Sequence, residues 1–138
     1  MEIKSFPAEF KVDVDEGVFE GYASVFGNVD SWGYIVERAA FKKTLQENAH
    51  RVKVLWQHDW FTPIGKPLHM EEDAKGLFTR TKVAPTQQGK DALVLLREGV
   101  INELSIGYAP IKWTHDQETD VRHLHEVRLW EYSPVTFA

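Results

Sequence analysis

The chain has 138 residues, 16 Lys+Arg against 21 Asp+Glu, no Cys and 43% hydrophobic residues. That length suits a single domain over residues 1–138, large enough to bury a real core. A formal charge of −5 argues against a general phosphate-backbone binder, and the lack of Cys excludes disulfides, thiolate metal sites and a cysteine nucleophile.

In chain order, Phe6 to Val14 and Val18 to Phe26 read as strands, the second rich in aromatic and β-branched residues. Gly27 to Gly33 is dense in turn formers and predicts a loop. Ala39 to His50 predicts a short helix, with Phe41 and Leu45 four apart. Arg51 to Gln57 predicts a strand with Val52, Val54 and Trp56 on one face. His58-Asp59 ends it, and Trp60 to Pro67 reads as a loop. Leu77 to Val83 alternates as a strand. Thr86 to Glu98 predicts a helix capped by Thr86, with Ala92, Leu93 and Leu96 as its apolar stripe and Gly99 at its end. Ile101 to Trp113 and Val121 to Phe137 are two long strand candidates. About six strands and two short helices imply an α+β, mainly β fold, a barrel or a sandwich. No apolar run is long enough to span a membrane, and the acids and proline of Met1 to Phe10 predict no export leader.

Three polar residues stand out by context. Ser105 lies between Leu104 and Ile106, so on a strand it faces away from the apolar side. Gly107, two residues on, would leave open space for a substrate backbone. The plainer reading, an exposed serine beside a bulge glycine, ranks first on the pattern alone. His58 closes a strand and opens a loop, where catalytic groups concentrate. Glu126 sits opposite in parity to Val127 and Leu129, and would face outward with Arg128. A serine needs a base, and the base needs a carboxylate, so these three could form a Ser-His-acid set. Gly-x-Ser-x-Gly is absent, since Glu103 replaces its first glycine. The rival chemistry is a metal site on His123 and His125, which share strand parity, with Glu131 or His115 as further ligands. No phosphate-binding loop is present.

The segments carrying these residues also carry a resemblance. Gly21-Tyr22-Ala23-Ser24-Val25-Phe26-Gly27-Asn28-Val29-Asp30-Ser31, Ala40-Phe41, Val54 to Asp59 with Pro63-Ile64-Gly65, Gly89 to Gly99, Leu104 to Tyr108 and Glu126 to Phe137 run in order. Together they resemble the tailed-phage prohead maturation proteases, a family similar in fold to the herpesvirus assemblins. The resemblance implies one protease domain, a small assemblin-like β-barrel with a few surrounding helices. It implies a serine endopeptidase of the Ser-His-Glu type, with Ser105 as nucleophile, His58 as base and Glu126 as third member. Glu131 is the fallback for that third place, although parity puts it with Val127 and Leu129. The implied substrates are the scaffold or the scaffolding region of the major capsid protein, and the chain itself, cut inside the prohead in the host cytoplasm. No cofactor, metal, nucleic acid or membrane partner is implied, and a homo-oligomer is compatible with the resemblance. Relatives continue past Phe137 with a proline-rich tail, which suggests a trimmed or self-processed core. A non-catalytic scaffold-interaction protein with the same fold is the alternative.

Overall fold

The computed structural model describes residues 10–30 and 32–138. The leader expectation, the first predicted strand before Phe10, and Ser31 lie outside the described residues. Among the described residues, eight strands and two α-helices follow in the order β1 (Lys11–Asp13), β2 (Val18–Val25), β3 (Tyr34–Val36), α1 (Lys42–Glu47), β4 (Lys53–Trp56), β5 (Asp59–Glu72), β6 (Gly76–Val83), α2 (Gln87–Arg97), β7 (Glu103–Asp116) and β8 (Val121–Val135). A short 3-10 turn, Ala49–Arg51, links α1 to β4.

The helix α2 forms where its signals place it. Thr86 Oγ1 accepts the Gly89 N–H at 3.0 Å, a cap that contributes about 1 kcal/mol. At the other end Gly99 takes a φ of +73°. There the Val100 N–H bonds Leu95 O at 3.0 Å and the Gly99 N–H bonds Leu96 O at 3.2 Å, which closes the last turn. Ala92, Leu93 and Leu96 are buried, as the stripe predicts. On β6 the alternation also holds: Leu77, Thr79, Thr81 and Val83 are buried. The two buried threonines are satisfied, Thr79 by Gly21 O at 2.8 Å and Thr81 by the Tyr132 hydroxyl at 2.6 Å. Burial pushes the Tyr132 phenol up to about 12, so it stays neutral in the core at any ordinary pH.

The fold is mainly β, but the expected barrel does not close. The hydrogen-bonded path runs β1-β2-β6-β5-β4-β8-β3, with β7 added to β8 as a branch. The reason lies in β8. One of its edges is divided between two parallel neighbours, β3 opposite Arg122 to Leu124 and β4 opposite Glu131 and Tyr132. Its other edge pairs with β7 in antiparallel register from Val121 to Val135. Closure would require β7 to bond back to β1 or β2, and among the described residues β7 pairs with β8 alone.

Two elements differ from the sequence expectation. The segment Trp60 to Pro67 belongs to the 14-residue strand β5 rather than to a loop. Its prolines sit beside register shifts, Pro63 opposite Leu55 and Pro67 opposite Thr81, where a missing N–H breaks no regular ladder. The strand β3 was not expected, because three residues give no periodicity to read.

Candidate active site

The ladders β7·β8 and β4·β8 place three chain segments side by side. Ser105 of β7 lies directly across from Ser133 of β8, and Gly107 across from Glu131. On the other edge of β8, Lys53 pairs with Glu131 and Val54 with Tyr132. The hairpin that leaves β4 therefore delivers His58 to the same end of β8.

That hairpin is tight. Trp56 pairs with Asp59, so Gln57 and His58 form a two-residue turn. Both have positive φ, +54° and +59°, as a type I′ turn requires, yet neither is glycine. Such a conformation costs roughly 1–3 kcal/mol per residue and persists only where the surroundings hold it. Here the end of β8 holds it. The Gln57 N–H bonds Pro134 O at 3.2 Å. The Gln57 amide donates to Thr136 Oγ1 at 2.8 Å and accepts the Thr136 N–H at 3.0 Å. The His58 N–H donates to Ser133 Oγ at 3.2 Å.

From this turn the His58 ring meets Glu131, with Nδ1 hydrogen-bonded to Oε1. A carboxylate only accepts, so Nδ1 carries the hydrogen, and the tautomer this bond selects leaves the Nε2 lone pair free. The imidazole is 39% exposed and the Glu131 side chain 5%, so the ring opens to solvent while its partner is enclosed. Ser133 Oγ donates to the second carboxylate oxygen at 2.6 Å. Ser105 is half-buried on the same face of the β7·β8 ladder. Among the described residues no hydrogen bond joins its hydroxyl to His58; such bonds commonly tighten only with substrate bound.

The carboxylate bonded to His58 is that of Glu131, the fallback, and not that of Glu126, the expected third member. The Glu126 carboxylate lies 3.8 Å from Lys112 Nζ, on the residue it faces across the ladder. Glu126 precedes Glu131 by five residues, about 16 Å of extended strand. The parity argument against Glu131 fails at a bulge. Tyr108 pairs with Leu129 but Gly107 pairs with Glu131, so Trp130 is an extra residue on β8. Before it Val127 and Leu129 face the core; after it Tyr132 does, and Glu131 and Ser133 turn to the opposite face. The helix α1 supports this irregular stretch, with Thr44 Oγ1 accepting the Leu129 N–H at 3.0 Å.

Gly107 has a different use from the one expected. A Cβ there would stand 3.0 Å from both Cγ and Cδ of Glu131 and closer still to Oε1. The space beside Ser105 is filled by the carboxylate rather than left to a substrate. Ser133 and Gln57 enter the sequence reading only inside longer segments, with no role assigned to either. The available signal was Glu131-Tyr132-Ser133, two polar residues around a core tyrosine in an otherwise apolar strand end.

The residues considered for a metal are engaged in pairs. His123 Nδ1 meets Glu37 at 2.7 Å, His125 Nε2 meets Thr114 at 2.9 Å, and His115 meets Asp120 at 2.8 Å. Among the described residues no group of three or more His, Asp or Glu could hold a metal ion. Next to His58, Asp59 accepts the Phe61 N–H at 2.9 Å and the Thr62 hydroxyl at 2.8 Å, bonds that hold its own pKa low. They shape a short excursion of β5 that leaves Trp60 and Phe61 exposed.

A family model described as caudovirus prohead serine protease matches residues 7–138. The prohead protease of Enterobacteria phage HK97 is 37% identical over 106 residues, covering 75% of this chain and 47% of the relative. The prohead protease of Escherichia phage T5 is 27% identical over 140 residues, covering 97% and 63%. The chain thus spans between about half and under two thirds of the length of these curated relatives. In fold it is similar to the bacteriophage T4 capsid assembly protease, with a TM-score of 0.58 and 15% identity over 86% of this chain and 80% of that one.

Proposed function

Because the chain belongs to the caudovirus prohead serine protease family, we propose that it is a serine endopeptidase of phage capsid maturation that works through Ser105, His58 and Glu131. The observation that carries the reading is the His58–Glu131 hydrogen bond, formed one strand away from Ser105. In the proposed mechanism Ser105 Oγ attacks the scissile carbonyl while His58 Nε2 takes its proton. The imidazolium is stabilised by the Glu131 carboxylate. His58 then passes the proton to the leaving amine, and water hydrolyses the acyl-enzyme with His58 again as base. A backbone N–H near Ile106 or Gly107 is the proposed donor to the oxyanion.

The proposed substrates are the scaffold or the scaffolding region of the major capsid protein, met inside the prohead in the host cytoplasm. The prohead protease names of the HK97 and T5 relatives support the place of action, and the substrates are inferred from it. The test is co-expression with the cognate capsid protein, followed by mass analysis of the capsid protein's N-terminus. Ser105→Ala should abolish processing and fluorophosphonate labelling, with a stability change of only about 0.5 kcal/mol. Full processing by Ser105→Ala would refute the assignment. An unlabelled, inactive but folded wild-type chain would favour the non-catalytic scaffold-interaction protein.

A further inference from the structure

We propose that Ser133 is a positioning residue that locks His58 to Glu131; the inference rests on the active-site reading above. Ser133 is fully buried, so its hydroxyl has no solvent to satisfy it. It has two partners, and they are the two halves of the base assembly. Its O–H donates to Glu131 Oε2 at 2.6 Å, and its oxygen accepts the backbone N–H of His58 at 3.2 Å. A hydroxyl can do both at once, with one hydrogen to give and lone pairs to receive. The first bond prevents the carboxylate from rotating and presents Oε1 to Nδ1. The second fixes the backbone of a residue held at a φ of +59°, whose ring would otherwise swing with the turn. Gln57 completes the clamp through Pro134 and Thr136.

The same geometry separates the two serines. Ser133 and Ser105 face each other across the β7·β8 ladder, but the Ser133 hydroxyl is enclosed and its hydrogen is committed to a carboxylate. Ser133 is thus placed to orient the base and Ser105 to attack.

The test uses the full chain, labelled with ¹⁵N-histidine and carrying Ser105→Ala so that it cannot turn over. Adding Ser133→Ala should remove the fixed Nδ1–H tautomer of His58 and its hydrogen-bonded proton signal. With Ser105 restored, the rate of fluorophosphonate labelling should fall about 10–100-fold, the penalty of a base displaced by about 1 Å. The acidic limb of its pH profile should move as well. A His58 signal unchanged by Ser133→Ala, or labelling within about twofold of wild type, overturns the proposal. If the Ser133→Ala chain does not fold, Ser133→Cys decides, since it leaves no cavity but donates weakly. It should behave as described for alanine, and wild-type His58 signals in it would overturn the proposal. If the wild type is never labelled while Ser133→Ala still frees His58, the protease reading fails and the positioning role stands.

Discussion

Replacing Gly107 by Ala should cut kcat about a hundredfold and leave KM nearly unchanged. The added methyl would sit 3.0 Å from Cγ and Cδ of Glu131, against an ordinary contact of 3.4–4 Å, and nearer still to Oε1. The Glu131 side chain is enclosed, being 5% exposed and tied to Ser133 at 2.6 Å. Clearing the methyl shifts its Oε1, the oxygen that bonds Nδ1, by about 1 Å, and a displacement of that size costs about 10²-fold, or about 2.7 kcal/mol of barrier. Overpacking should also lower stability by about 1–3 kcal/mol. The assay is steady-state cleavage of a peptide spanning the junction mapped by co-expression, with thermal unfolding measured alongside. Alanine at 107 should cost little further activity when Glu131 is already Ala, because the two changes disable one unit. A rise in KM at constant kcat would mean that Gly107 makes room for substrate. A folded variant within about threefold of wild-type kcat would refute the packing argument.

Glu131→Gln should lower kcat by about 10²–10⁴-fold, since the amide cannot stabilise the imidazolium. Glu126→Gln should stay within about threefold, because its pairing with Lys112 is a weak ladder contact remote from His58; the same peptide assay ranks the two. Cleavage should survive EDTA, since the proposed chemistry uses a serine, a histidine and a carboxylate, and loss of activity restored by zinc would contradict it.

Much of this was legible in the residues. The α2 helix carries its start and stop signals within a few positions, and β6 alternates cleanly, so both follow from local rules. Ser105 was marked by its apolar neighbours and His58 by its place at a strand end. What stayed hidden depends on pairing between strands. The extra residue at Trp130 reverses the alternation of β8, and nothing within β8 alone announces it. Counting parity straight through the bulge therefore assigned Glu131 to the core and favoured Glu126. The clamp of Gln57 and Ser133 was hidden for the same reason: it spans 75 or more positions and exists only once β4 lies beside β8. The open sheet likewise follows from how β8 divides its edge, a property of three strands together.

The central place of β8 also bears on when the proposed site can form. His58 is brought to Glu131 through the β4·β8 pairing, and Ser105 to Ser133 through the β7·β8 pairing. A chain in which β8 has not docked does not hold Ser105, His58 and Glu131 in register, even with its hairpins and helices formed. Docking β8 onto β3 and β4 closes long stretches of chain, and such non-local closures are the slow steps of β-rich folding. On the proposed reading, competence to cut waits for this long-range closure, and a half-folded molecule does not cut its neighbours. In refolding followed by pulsed hydrogen exchange, fluorophosphonate reactivity should appear no earlier than protection of the β7·β8 amides. Reactivity preceding that protection would show that the site assembles from local structure instead.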